Sequence, residues 1–199
     1  IPSQAQLAAY TIDDVKRFHA GQFGAKRAHL YIAGRFDASA VKAAVTKTFG
    51  GWAAGPAPLE LAAPHQPGPR VVLIDRPDAP QTTLRLAFDA SLAGSEADIP
   101  QRVTNELLGG AFSSRITTNI RESKGYTYSP NSFVWNRYKT GYWVENADVT
   151  TEHTGDSVKE ILFEIDRLQK EPPTDAELQG IKNYLVGIYV LQNSTRTGV

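Results

Sequence analysis

The sequence predicts an α+β fold: an antiparallel sheet with helices packed mainly on one face, an α/β sandwich in section. Apolar residues recur at helical spacing in several separate stretches, several of them opened by capping residues. Other stretches alternate or are rich in the aromatic and β-branched residues that suit a pleated surface. The order of these elements suits helices laid on antiparallel strands.

Thr11-Ile-Asp-Asp14 reads as a capping box, and Val15, Phe18 and Phe23 follow at roughly helical spacing, so a helix is expected over residues 11–22. His29-Leu-Tyr-Ile-Ala33 reads as a short strand ending at Gly34. Asp37 then caps a helix whose inner face is Val41, Ala44, Val45, Thr48 and Phe49. Val71-Val-Leu-Ile-Asp75 reads as a buried strand, and Leu84, Leu86 and Phe88 place a second strand at Thr83–Phe88 beyond the Arg76–Gln81 turn. Ile99–Leu108 is an apolar helix interrupted by Gly109-Gly110, after which Ser113 or Ser114 caps another helix running to about Lys124.

Tyr126–Trp135 and Gly141–Val149 form a long hairpin around the turn at 136–140. Val158, Ile161, Leu162, Ile165 and Leu168 make one helical stripe. Thr174-Asp-Ala-Glu177 is a further capping box, opening a helix with Leu178, Ile181, Leu185 and Ile188 inside.

Composition sets the outer bounds. Lys plus Arg and Asp plus Glu number 21 each, so no net field attracts nucleic acid or an anionic membrane. The absence of cysteine excludes disulfides, a thiolate nucleophile and a Cys-ligated metal. The apolar runs are shorter than the roughly 18–20 residues a membrane span needs. With Ile at position 1 and no Met, the chain is expected to be processed or excised from a longer polypeptide. Pro56, Pro58, Pro64, Pro67 and Pro69 stiffen a Pro/Gly/Ala-rich stretch that reads as a linker over 56–69, separating residues 1–55 from 70–199.

The most informative stretch is Arg121-Glu-Ser-Lys-Gly-Tyr-Thr-Tyr128. It sets a permanent guanidinium and a phenol where a helix passes into a strand, and such a pair can hold a peptide carbonyl or an oxyanion. Tyr126 and Tyr128, two residues apart on one strand face, are both candidate donors. His19, His29, His65 and His153 are scattered, and none sits in a short His/Glu helical motif of the kind that binds catalytic zinc. No metal ligand is therefore assigned. Gly109-Gly110 is read as a helix break for close packing, because no Lys-Ser/Thr follows to complete a phosphate loop. Arg115 is read as structural, His153 beside Glu152 as a solvated helix cap, and Glu145 and Asp148 as lying on opposite strand faces, a poor acid–base pair.

Tyr31-Ile-Ala-Gly34 with Phe36-Asp37, Leu107-Leu-Gly-Gly-Ala-Phe-Ser-Ser-Arg115, Arg121–Tyr128 and Thr174-Asp-Ala-Glu-Leu178 together resemble the insulinase/pitrilysin family of zinc metallopeptidases. The resemblance covers most of the chain in the family's order. It implies two similar domains, the first carrying an inverted His-x-x-Glu-His zinc motif and the second usually without metal ligands. Residues 1–55 then resemble the tail of the first domain and residues 70–199 most of the second. In the family an Arg and a Tyr seven residues apart reach from the second domain to the zinc site, which by position implies Arg121 and Tyr128 as the catalytic, substrate-binding pair; Tyr126, whose spacing from Arg121 is wrong for the family, is kept as a further substrate-binding candidate on its nearness alone.

The resemblance implies no cofactor in this chain, zinc in the complete enzyme, a peptide substrate, and a partner domain or subunit bearing the zinc motif, with a homodimer also open. Alone, the chain is expected to be inactive. If the source is bacterial, a periplasmic or membrane-associated periplasmic setting is favoured over the cytoplasm. The alternative is a non-catalytic structural or assembly subunit, similar to the core proteins of respiratory complexes.

Overall fold

The computed structural model describes residues 2–57, 68–137 and 139–195. The chain divides into two compact units, Ile1–Leu61 and Ala62–Val199. Much of the proline-rich stretch at 56–69 lies outside the described residues, as do His65 and Tyr138.

In the first unit, α1 (Gln4–Ala9) and α2 (Ile12–Gln22) each begin with a reciprocal capping box, Ser3 with Gln6 and Thr11 with Asp14. The box at Thr11 agrees with the sequence reading. The helix at α1 was not expected, although Ser3-x-x-Gln6 is itself a capping-box pattern. Asp37 caps α3 (Ala38–Phe49) by accepting from the backbone N–H groups of Ser39 and Ala40. Residues 24–26 pack against 53–55: the Ala25 and Lys26 N–H groups donate to the Ala53 and Ala54 carbonyls at 2.9 Å.

The second unit is built on a three-stranded antiparallel sheet in the order β1 (Gln81–Asp89), β3 (Thr140–Thr150), β2 (Asn131–Arg137). The central strand pairs Leu86 with Glu145 on one side and Ser132 with Glu145 on the other. Helices α4 (Asp98–Asn105), α5 (Thr154–Lys170) and α6 (Asp175–Gln192) complete the unit. The core forms where one sheet face meets helical segments: Trp143, Ala147 and Val149 of β3 pack with Leu108, Ile116, Ile120 and Ile161. Each fully buried aliphatic side chain contributes about 1.5–3 kcal/mol by leaving water. A smaller cluster joins Leu107 and Ala111 to Ile181 of α6. On the other sheet face, Thr83 donates to Asp148 and the Trp135 ring lies parallel to Tyr142. The molecule is therefore α+β with an antiparallel sheet, as the sequence predicts. Among the described residues no helix is long and apolar enough to cross a membrane.

Three expectations are corrected. Residues 29–33 and 71–75 form no strand. Both runs are apolar, but an isolated run cannot satisfy a ladder of backbone hydrogen bonds, and Val71 stays 94% exposed rather than buried. Tyr126 does not begin a strand; only Thr127 forms an isolated bridge, to Val149, and β2 starts at Asn131. Leu162 lies outside the buried stripe of α5, where Ser157 and Glu164 take inward positions instead.

Gly109 and Gly110 widen the helix rather than break it: α4 continues into a π-helical segment, Glu106–Gly110, closed by the Ala111 N–H donating to the Glu106 carbonyl. A Cβ on Gly109 would sit 2.6 Å from Ser132 Oγ and 2.7 Å from Glu145 Oε2. Glycine here lets the helix backbone press onto the sheet, which is the close packing read from the sequence.

Candidate functional site

The site is built on the turn that follows this wide segment. Ser114 Oγ accepts from the Thr117 N–H at 3.4 Å, so the Ser114 cap read from the sequence is present. A second π-helical segment, Thr117–Ser123, carries Arg121 in its last turn. Gly125 ends it with φ of +68°, a left-handed conformation that glycine adopts at no steric cost. The reversal is fixed by Gly125 N–H donating to the Arg121 carbonyl at 3.0 Å and Tyr126 N–H to the Ile120 carbonyl at 2.9 Å. The chain is thereby folded back, and Tyr128 lies beside the arginine that precedes it by seven residues.

The guanidinium carbon of Arg121 stands 5.1 Å from the centre of the Tyr128 ring and 4.3 Å from the centre of the Phe112 ring. The arginine side chain is 22% exposed, while Phe112 and Tyr128 are 69% and 79% exposed. Its only charged neighbour among the described residues is Glu122, with Nε to Oε1 at 3.4 Å. No described group hydrogen-bonds its two terminal nitrogens. Sequence reasoning missed Phe112, although it stands within the quoted Ala-Phe-Ser-Ser motif.

Tyr126 is held elsewhere. Its ring stacks on His153 with centroids 4.3 Å apart and packs against the main core cluster. The two tyrosines do not share a strand face, because the segment carrying them is not a regular strand. The geometry joins Arg121 to Tyr128 and leaves Tyr126 apart. His153 is therefore more than a solvated cap: besides the Tyr126 ring it has the Glu152 carboxylate, Nε2 to Oε1 at 3.6 Å.

Arg115 shows what a structural arginine looks like in this molecule. It is 7% exposed; Nε and Nη2 contact the Glu177 oxygens at 3.1 and 3.3 Å, and Nη1 donates to the Glu171 carbonyl at 3.3 Å. Nε and Nη2 tie its turn to the first turn of α6, and Nη1 ties it to the C-terminal end of α5. The Arg115 hydrogen bonds, with those of the Thr174 cap, pull Glu177 down to about 2.

A hollow of about 360 Å³ beside this pair is lined by Asn119, Lys124, Glu164 and Arg167, and its charges are mutually satisfied: Lys124 with Glu160, Arg167 with Glu164. Neither Arg121 nor Tyr128 lines it. Glu145, one of three buried carboxyls with Asp98 and Glu164 among the described residues, faces the helices while Asp148 faces outward, so the strand parity read from the sequence holds.

Among the described residues no three His, Cys, Asp or Glu side chains are grouped as metal ligands would be.

A protein named uncharacterized zinc protease YmxG, from Bacillus subtilis (strain 168), is 26% identical over 196 residues, covering 95% of this chain and 46% of the relative. The crystal structure of a peptidase M16 inactive domain from Pseudomonas fluorescens superposes with a TM-score of 0.84 at 24% identity, covering 92% of this chain and 45% of that one. That of a protease from Helicobacter pylori superposes at 0.83 with 18% identity, covering 98% and 49%. The chain thus spans less than half the length of each. Residues 9–185 match the peptidase M16 inactive domain, and the chain belongs to that family.

Proposed function

We propose that this chain is the substrate-binding, non-zinc-ligating part of a zinc-dependent endopeptidase. Its Arg121 and Tyr128 reach a catalytic site whose metal is held by another domain or by a partner subunit. The observation that carries the reading is the contrast between the two arginines: every nitrogen of Arg115 is hydrogen-bonded to Glu177 or Glu171, whereas Arg121 lies over the Phe112 and Tyr128 rings and, among the described residues, its terminal nitrogens have no hydrogen-bond partner.

A guanidinium of this kind donates to the carbonyl of a bound peptide, and the Tyr128 phenol O–H donates to the oxyanion that forms as water adds. Zinc, on the other part, supplies the activated water and polarises the carbonyl. Closing the two parts around the peptide excludes water, which strengthens both contacts. The peptide adds as a strand to a sheet edge, so that backbone is read more than side chains. Tyr126, stacked on His153, steadies the backbone that leads to Tyr128 and contacts substrate only through it.

The test is hydrolysis by the chain assembled with its zinc-bearing part. Arg121→Ala and Tyr128→Phe are each expected to lower turnover on the order of a hundredfold to a thousandfold. Folding, followed by circular dichroism, is expected to be unchanged. Unchanged rates in both variants would favour the second reading, a structural or assembly subunit of the same fold; that reading draws support from the ring packing of Arg121, which would then be structural.

A further inference from the structure

We infer that Phe112 is a positioning residue for Arg121, acting through the face of its ring; the inference rests on the peptide-binding reading above. Phe112 leaves the buried Ala111 and turns its ring outward, 69% exposed. That exposure is what remains with the Arg121 guanidinium lying over the ring at 4.3 Å, a contact that gives an otherwise solvent-facing aromatic a cation to hold. This contact is closer than the one to Tyr128, at 5.1 Å.

The kind of contact decides what the arginine can do. The N–H donors of a guanidinium lie in its plane and point outward from its edge, while a ring engages the flat face. A carboxylate partner takes the donors, as Glu177 does at Arg115. A ring holds the charge and leaves the donors free. Glu122 competes for Nε at 3.4 Å, and a long side chain on a helix end has many rotamers available. Phe112 selects among them the one that keeps the guanidinium beside Tyr128. An aliphatic residue of similar size would shield the arginine equally but offers no negative ring face.

That difference gives the test. Using the chain assembled with its zinc-bearing part and an internally quenched peptide, kcat and KM are measured for Phe112→Tyr, Phe112→Leu, Arg121→Ala and the Phe112→Leu/Arg121→Ala pair. Phe112→Tyr is expected to retain the rate within about twofold, and Phe112→Leu to lose about three- to tenfold, chiefly in kcat. In the Arg121→Ala background, Phe112→Leu is expected to have no further effect, because its role passes through the arginine. In the isolated chain, the Arg121 Nε–H resonance is expected to move toward its unstructured position in Phe112→Leu as the ring current is lost.

A Phe112→Leu variant matching the parent in rate while Arg121→Ala is impaired would overturn the inference, as would losses that add in the double variant. Full activity of Arg121→Ala would overturn the peptide reading beneath it.

Discussion

Glu145 is the residue whose environment is most at odds with its chemistry. It lies at the centre of the middle strand, fully buried, and among the described residues its carboxyl oxygens meet no full hydrogen bond, only the Asn131 backbone N–H weakly opposing the effect of burial. Burial pushes its carboxyl up to about 8, so the folded protein holds the proton that the unfolded chain releases above its ordinary value of 4.5. Stability is fully present below that ordinary value and declines as pH rises toward 8, where the loss approaches roughly 4 kcal/mol. Glu145→Gln is expected to flatten this slope and to raise the urea midpoint at pH 8 relative to the parent. Equal pH profiles for the two proteins would show that the carboxyl is not buried as described. Arg121 is placed differently: its guanidinium lies over the Phe112 and Tyr128 rings, and among the described residues its ion pair is with Glu122 through Nε.

At the scale of elements, the wide helical turns position the site. The segment Glu106–Gly110 presses Gly109 onto β2 and β3, and Thr117–Ser123 is followed by the left-handed Gly125 that returns the chain toward Tyr128. Gly109→Ala is expected to cost about 1–3 kcal/mol in a denaturant titration, because its Cβ meets Ser132 and Glu145 in a packed region that cannot give way freely. A neutral result would mean the sheet yields at no cost.

The caps were legible from sequence because they are local: Thr11 with Asp14, Asp37 with its first turn, and Thr174 with Glu177 each reach no farther than three residues. The apolar runs at 29–33 and 71–75 carry the same β-forming composition as real strands. Pairing, however, is a property of two segments, and composition alone could not say whether a partner is present. The π-helical turns have no distinct periodicity, which is why Gly109-Gly110 read as a break.

For the molecule as a whole, membership of the peptidase M16 inactive domain family and the absence of grouped metal ligands among the described residues frame one further expectation. The isolated chain is expected to bind no stoichiometric zinc in equilibrium dialysis and to cleave no peptide. Metal-dependent hydrolysis by the chain alone would overturn the division of labour proposed here.

Sequence by itself determined the α+β class and the helix starts at Thr11, Asp37 and Thr174, since these rest on composition and short-range hydrogen bonds, while the resemblance of its motifs to a known family singled out Arg121 and the tyrosine seven residues on. Tertiary structure alone decided that Tyr126 turns away to His153, that Phe112 lies against the arginine, that Arg115 is bonded to Glu177, and that Glu145 rather than Asp148 is buried. Each of those outcomes depends on surfaces brought together by chain reversal at Gly125 and by helices closing over one sheet face. Strand parity and spacing say that two residues differ in direction, but only packing says which direction is the inside.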